Sequence, residues 1–472
     1  MTIKMDSVSF FERCTKVGES ALSFENPLVV HHIDCDGIAS GATAAWALER
    51  SGKNVLTKAE KQLNPDIIAG VREFAQKNNC SGIVFTDFGS GMINEVGKLS
   101  DEFKVAVIDH HKLETAPSET IAHANCEEFG FSGTDDACGA STAYFCFRHR
   151  FPDLAQLGIV GAVGDMQDRR GFGKINALML QDAISGGFCK VLKDLRMFGR
   201  NSRSLTSFLA YSSEPFVPGL SGDEKACALF LRENGLPTRD AKGNWIHYWD
   251  LPIEAKRALV GAFLNKCMEQ KIDSELLCSI IGDVYVFPNE DPHSELYDAL
   301  EYSTLLNACG RHGHAQEGIR LCTKKEGALE EGRKLLNEHR RAIRNGLWYA
   351  RKNFVDLGAF YFLDCRGTVS DTVVGIVAGS FLGSGLVRRN KPAIAFALDE
   401  KNNVKASSRG TAEMVTDGLD LDAALRESLL EIGAGGGHSI AAGATIQKGY
   451  EDEFLKRLKK ALEKQGFGIH NA

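Results

Sequence analysis

Acids and imidazoles in the first part of the chain stand at the ends of short apolar runs, and that placement restricts the fold more than any other feature. Leu28–His32 leads into His32-Ile-Asp34-Cys-Asp36-Gly37, Gly82–Thr86 into Asp87, and Lys104–Ile108 into Asp109-His110-His111. A further apolar run, Gly158–Gly164, closes on Asp165 and is followed by Met166-Gln-Asp168. Between them lie helical patterns, the Ala-rich Ile38–Arg50 and Pro65–Asn78, and another β-type run, Asn54–Thr57. Strand–helix alternation predicts an open parallel sheet. Ligands of such sheets bind beyond the C-terminal strand ends. The first three clusters are therefore expected at one sheet edge, with Asp165 reaching them from a neighbouring helix.

Carboxylates and imidazoles gathered at one edge repel each other unless cations lie between them. A mixed oxygen and imidazole set without thiolates favours Mn²⁺ or Mg²⁺ over structural zinc. A carboxylate shared by two ions holds them roughly 3.5–4 Å apart, the spacing for in-line attack on a phosphodiester. Each cluster alone has a simpler explanation. An Asp at a strand end caps the next helix, and one His of a His-His pair is commonly exposed and idle. Four such coincidences at strand ends favour the metal site. Cys35, between two candidate ligands, reads as a small packed residue and an oxidation liability.

The rest of the chain is less explicit. From about Ser185 to Ala350 the pattern is helices and irregular links, with Pro252 opening a helix over Ile253–Met268 and turns at Tyr211–Gly222 and Phe287–Pro292. This stretch shows no metal-ligand cluster and no phosphate loop. Within Glu331–Lys352, Arg333, Lys334, Arg340, Arg341, Arg344, Arg351 and Lys352 stand against Glu331 and Glu338, seven minus two, a local +5 on one helix. That helix offers either a solvated face or a nucleic-acid contact. Beyond Phe354 a strand is expected at Ala359–Asp364, a helix start at Asp371–Gly379, and a hairpin of Pro392–Leu398 with Val404–Ser408 around Glu400–Asn403. The helix Leu421–Ile432 is then followed by a loop, Gly433–His438. The successive Gly435, Gly436 and Gly437 would let backbone N–H groups approach a phosphate, with Arg409 and His438 adding charge-assisted hydrogen bonds. A dinucleotide-binding turn is disfavoured, because the run follows a helix instead of joining a strand to one. A ligand-free turn stays open.

Composition bounds the function. The 472 residues, 43% hydrophobic and 25% charged, suit a globular protein of about three domains or of fewer, larger ones. Apolar stretches break well short of the roughly 18 residues of a membrane span, and the N-terminus, from Met1, lacks a signal pattern. A cytoplasmic protein without membrane contact is expected. Thirteen cysteines without a Cys-x-x-Cys fit buried thiols in a reducing compartment. A net charge of −7 and a pI of about 6.0 exclude coating nucleic acid by overall charge, and leave room for a local basic groove.

Taken in order, His-x-Asp-x-Asp-Gly, a later strand-end Asp, Asp-His-His and Gly-Asp resemble the DHH phosphoesterase superfamily. Gly435-Gly436-Gly437-His438, with Ser408-Arg409-Gly410 before it and Asp371-Thr-Val-Val-Gly375-Ile-Val-Ala378, resembles the DHH-associated C-terminal domain of the RecJ-like branch. With a middle insertion of this length, the whole is most similar to archaeal RecJ-like nucleases, the GINS-associated nuclease group. The middle joins that likeness only through stretches such as Glu214-Pro-Phe-Val-Pro-Gly219. The resemblance implies an α/β architecture: a parallel-sheet DHH domain over residues 1–185, a helical insertion with a connecting helix over 186–350, and a smaller α/β DHH-associated domain over 351–472. It implies that His32, Asp34 and Asp87 hold one Mn²⁺ or Mg²⁺ ion and Asp36, Asp87, His110 and Asp165 a second. His111 would be free for the scissile phosphate or leaving oxygen, and Asp109 would orient the imidazoles. Ser408, Arg409, Gly435, Gly436, Gly437 and His438 would grip nucleic acid. Cys35 departs from the branch, where Ala is commoner. The implied activity is metal-dependent exonuclease action on single-stranded DNA in the 5′→3′ direction, with RNA as a further substrate, in DNA repair or replication. GINS and the replicative helicase are the implied partners. Hydrolysis of short oligonucleotides or cyclic dinucleotides, and a non-catalytic role beside the replicative helicase, are the alternatives.

Overall fold

The computed structural model describes residues 3–468 except 114, 212–214, 273 and 385. Glu214, the first residue of the stretch compared above, and the N-terminal Met1 and Thr2 lie outside the described residues. Five strands, of which the third and fourth are rich in β-branched residues, form the first sheet: β1 (Pro27–His32), β2 (Leu56–Glu60), β3 (Gly82–Thr86), β4 (Lys104–Asp109) and β5 (Ile121–Asn125). All pair parallel in the order β2-β1-β3-β4-β5. Alternate side chains of one strand serve opposite cores. Val29, Val84, Ala106 and Ile108 join the helices Cys35–Arg50, Gly139–Phe147 and Ala155–Gly164. Val30, Phe85, Val105 and Val107 instead meet the helix Pro65–Lys77 on the other face. The chain turns from one side of β1 to the other between β2 and β3, so a crevice opens at the C-terminal ends of β1 and β3.

Several boundaries differ from expectation. The helix expected from Ile38 starts at Cys35, because the Asp34 side chain caps it by accepting from the Gly37 amide. The strand expected at Asn54–Thr57 runs over Leu56–Glu60. The N-terminal helix Ile3–Leu22 and β5 had no distinct pattern. In the middle region, β6 (Lys190–Leu195) pairs antiparallel with β7 (Ile281–Val286), two strands far apart in sequence. The helix Ile253–Glu269 stands where Pro252 placed it.

The chain forms two compact units, one of residues 1–210 with 224–336 and one of 211–223 with 337–472. In the first, the helix Ala299–Arg311 packs on Ala155–Gly164 and Cys35–Arg50. In the second, β8 (Val355–Asp356), β9 (Tyr361–Asp364), β10 (Ala393–Leu398), β11 (Val404–Arg409), β12 (Gly433–Gly437) and β13 (Ala441–Ile446) form a mixed sheet, ordered β12-β13-β11-β10-β9-β8. The expected Gly-rich loop is thus an edge strand. Glycine has low strand propensity and reads as a loop in sequence. Here a Cβ on Gly435 would stand 2.4 Å from the Gly443 carbonyl oxygen on β13, so the missing side chains permit the pairing. Among the described residues no helix is long and apolar enough to cross a membrane.

Gly310 tests the packing that frames the sheet edge. A Cβ there would lie 1.6 Å from the Ile33 carbonyl oxygen. Gly310→Ala should cost about 1–3 kcal/mol by pushing its helix off the His32–Asp34 turn. Gly70→Ala, in the open helix position with nothing within 4 Å, should be neutral or gain up to about 1 kcal/mol. Thermal melts of the two variants check this; equal melting temperatures would refute the packing argument.

Candidate metal centre

The parallel register brings the strand-end residues to one edge. His32 ends β1, Asp34 caps the following helix and Asp36 lies in its first turn. Asp87 follows β3 directly, Asp109 ends β4, and Asp165 caps the C-terminus of the helix Ala155–Gly164. His32 Nδ1 lies 3.1 Å from Asp34 Oδ2 and 3.5 Å from Asp87 Oδ2. His110 Nε2 lies 3.1 Å from Asp87 Oδ1 and 3.6 Å from Asp36 Oδ2. The two Asp87 oxygens therefore face two different groups, His32 with Asp34 on one side and His110 with Asp36 and Asp165 on the other. Asp87 holds this position with φ +67°, a left-handed conformation that costs a non-glycine residue energy and recurs at functional sites.

Burial sets the electrostatics. It drives the Asp36 carboxyl well above its ordinary value, with the Asp87 charge adding to it. It raises Asp165 to about 6; the His110 charge opposes this and the Asp87 and Asp34 charges reinforce it. Burial and the Asp34 charge also work against ionised Asp87, yet hydrogen bonds from His110 and His32 hold it below its ordinary value. His32 and His110 are held high, burial being outweighed by their carboxylate neighbours. Burial and like charge thus oppose ionising these carboxylates together. A set of oxygens and imidazole nitrogens crowded in one crevice fits divalent cations of the Mn²⁺ or Mg²⁺ kind.

A second layer of residues fixes the first. Asp109, fully buried, accepts from the amides of Ser90 (2.8 Å), His110 (2.7 Å) and His111 (3.2 Å), and pairs with His111 Nδ1 at 2.8 Å. The Ser90 hydroxyl stands 3.1 Å from His123 Nε2 and accepts from Asn125 Nδ2, which also donates to the His111 carbonyl. His110 Nδ1 lies 2.6 Å from the Gly133 carbonyl oxygen, which turns its Nε2 toward Asp87. Both Asp36 oxygens accept from the Gly139 and Ala140 amides at the start of the helix Gly139–Phe147. Gln167 Nε2 donates to Asp165 Oδ2 at 2.7 Å. Burial lowers the Arg311 guanidinium, against the pull of Asp34. Ser90, His123, Asn125, Gln167 and Arg311 have no local motif that would single them out. Cys35 is buried, with Sγ 3.4 Å from the Val160 carbonyl oxygen. Asp168 turns away from the cluster to pair with Arg196 at 2.5 Å.

The C-terminal residues are arranged differently from the expected phosphate loop. Arg409 ends β11 opposite Ala441, and the His438 amide donates to the Ala441 carbonyl, so both residues flank one end of β13. Ser408 is fully buried and its hydroxyl donates to the Ala442 carbonyl at 2.8 Å. That bond ties β11 to β13. The Gly437 amide donates to Asp422 Oδ1 at 2.8 Å, while Gly435 and Gly436 lie in the edge strand β12. The basic run lies on the helix Ala328–Asn353, where Arg333 pairs with Glu295 and Lys334 with Glu331, while Arg341, Arg344 and Lys352 are exposed. The middle region, expected to have no metal-ligand cluster, does bring His247, Asp250 and His293 together. The sequence hid this group because His293 is distant from the other two.

Comparison with known proteins accounts for the architecture. The model of the DHH family N-terminal domain matches residues 26–161, that of the DHH-CID domain 197–281, and that of the DHHA1 domain 360–464. An uncharacterized protein of Methanocaldococcus jannaschii is 27% identical over 469 residues, 98% of this chain and 99% of its own. RecJ from Thermus thermophilus, solved with Mn²⁺, superimposes with a TM-score of 0.58 and 16% identity over 96% of this chain. This chain covers 55% of that RecJ, about half its length. The same RecJ has been solved with Mg²⁺. CDC45 from Entamoeba histolytica superimposes with a TM-score of 0.61 and 12% identity, covering 97% of this chain and 99% of its own. Three domain matches in this order, with a strand-end cluster of acids and imidazoles, make the chain a member of the DHH superfamily with a RecJ-like fold.

Proposed function

We propose that the chain is a metal-dependent exonuclease that hydrolyses phosphodiester bonds of single-stranded nucleic acid, DNA from the 5′ end being the first substrate to test. The observation that carries this reading is the Asp87 carboxylate, one oxygen toward His32 and Asp34 and the other toward His110. On this reading His32, Asp34 and Asp87 hold one Mn²⁺ or Mg²⁺ ion, and Asp36, Asp87, His110 and Asp165 hold the other. Bound there, the cations supply Lewis acidity, lowering the pKa of water and neutralising phosphate charge.

The chain's own groups do the rest. His111 is 56% exposed and its Nδ1 is engaged by Asp109, so its Nε2 is left to donate to a phosphate oxygen or the leaving oxygen. Asp109 fixes that ring and stabilises its charged form, as the raised His111 value reflects. Arg409 and His438 would hold a further phosphate. End-labelled single-stranded DNA and RNA, dinucleotides and cyclic dinucleotides, each digested with Mn²⁺, test the reading. Cleavage of the dinucleotides with long strands left intact would replace the exonuclease by a small-substrate phosphodiesterase.

Asp87→Asn should lower turnover by more than the roughly 100-fold that loss of a supporting partner costs a metal site. Wild-type turnover at saturating Mn²⁺ would overturn the assignment. The raised Asp165 value gives a pH dependence. Its folded value, about 6, lies above the ordinary 3.8, so the folded chain holds that proton more tightly. This contribution favours folding at acid pH and is lost as pH rises from about 4 through about 6. Without metal, the melting temperature of Asp165→Asn relative to wild type should therefore be higher at about pH 7.5 than at about pH 5. Stabilisation of wild type by Mn²⁺ should grow over the same interval, because the ion displaces the proton. Scanning fluorimetry at the two pH values checks both signs. Arg409→Ala should weaken binding of single strands and lower the slope of log affinity against log salt by about 0.7, one released counterion; an unchanged slope removes Arg409 from the nucleic-acid path.

A further inference from the structure

Apart from the strand-end cluster, one more group of metal-ligating side chains meets among the described residues. His247 and Asp250 bracket the short turn Tyr248–Asp250, and His293 comes from the loop that follows β7. Asp250 Oδ1 lies 2.7 Å from His293 Nε2, and Asp250 Oδ2 lies 3.3 Å from His247 Nδ1. The two imidazole rings stand 4.7 Å apart between centroids. One ligand atom from each residue falls within 4.8 Å of the others. Asp291 Oδ1 lies 4.0 Å from His293 Nδ1, on the ring's other nitrogen.

We infer that His247, Asp250 and His293 form a second metal site, open to solvent, that takes a single transition ion of the Zn²⁺ class. Two imidazoles and one carboxylate are a three-ligand set that leaves a position for water, and imidazole nitrogen selects Zn²⁺ and its neighbours over Mg²⁺. Tetrahedral bonds of about 2.1 Å separate ligand atoms by roughly 3.4 Å. The distance from His247 Nδ1 to Asp250 Oδ2 already matches this, and His293, 47% exposed and 2.7 Å from the other carboxylate oxygen, would turn from that oxygen to reach the same ion. Asp291 is placed as the outer carboxylate that orients a ligating imidazole. The ion would tie the Tyr248–Asp250 turn to the loop after β7, joining segments 43 residues apart. The competing account is a hydrogen-bonded turn. The His247 ring accepts from the Asp250 amide, the Asp250 carboxylate accepts from the His247 amide, and His293 adds one bond to the same carboxylate.

The full chain, stripped with chelator and reloaded with Zn²⁺ alone, separates the two. Metal analysis after gel filtration should find about one equivalent more Zn²⁺ on wild type than on His293→Ala or Asp250→Asn. Co²⁺ loading should give wild type an extra visible absorption of low coordination number that both variants lack. Zn²⁺ should raise the melting temperature of an Asp87→Asn chain, and fail to do so once His293→Ala is added. Equal stoichiometry in wild type and His293→Ala overturns the site and leaves a hydrogen-bonded turn. His293 is a surface residue, so His293→Ala decides the matter even if Asp250→Asn folds poorly. Its hydrolytic activity with Mn²⁺ should equal that of wild type; a loss of hydrolysis with unchanged Zn²⁺ content would likewise overturn the proposal.

Discussion

A carboxylate that is almost fully buried among other carboxylates governs the architecture around it. Asp87 cannot be solvated where it stands, and Asp34, Asp36 and Asp165 crowd the same space. The fold answers with His32 and His110, one imidazole for each oxygen. Small residues make the crowding sterically feasible. A Cβ on Gly139 would stand 2.8 Å from the Asp87 Cβ, and one on Gly161 would stand 2.5 Å from Asp36 Oδ1. Helix packing is therefore as tight at the site as the charges are close. An arrangement so costly without cations and so closely framed is expected of a preorganised centre, in which the scaffold carries the strain.

The parallel sheet supplies the frame. Because β1, β3 and β4 run the same way and are in register, their last residues emerge at one level. The helices Gly139–Phe147 and Ala155–Gly164 then bring amides to Asp36 and set Asp165 at the same edge. An antiparallel sheet would have put alternate clusters at opposite ends. Each strand also divides its apolar side chains between two cores, so a shift of one residue would exchange the two faces and misplace the acids. Packing and function therefore fix the same register.

This explains what was legible in the sequence. Strand-end acids are a local signal, since an apolar run and the residue after it are adjacent in the chain. The sheet class, its edge and seven strand-end residues could be read that way, and the structure gathers them in one place with Asp165, which ends a helix. Supporting groups were hidden because they arrive from elsewhere. Ser90 and Asn125 meet Asp109 and His111 only after β3, β4 and β5 are aligned, and Gln167 reaches Asp165 by a turn no pattern announces. The edge strand Gly433–Gly437 was misread because glycine's local preference was outweighed by pairing to β13. Ser408 and Arg409 differ for a reason that adjacency in sequence does not reveal. Successive residues of a strand point to opposite faces, so Ser408 is buried and Arg409 is only partly so.

The same logic separates two neighbouring imidazoles. His110 and His111 have identical side chains and rings 4.3 Å apart, yet the backbone gives them different work. The Nδ1 of His110 is engaged by the Gly133 carbonyl and its other nitrogen is buried against Asp87 and Asp36. The Nδ1 of His111 is engaged by the Asp109 carboxylate, and its ring stays more than half exposed. A carbonyl partner adds no full charge, and on the proposed reading a cation would take the place of the proton that the carboxylates hold on the second nitrogen of His110. A carboxylate partner stabilises the charged ring, which on the proposed reading would let His111 donate a proton to a phosphate or leaving oxygen. The order Asp-His-His thus sets the acid at the end of β4, the first imidazole turned inward and the second outward.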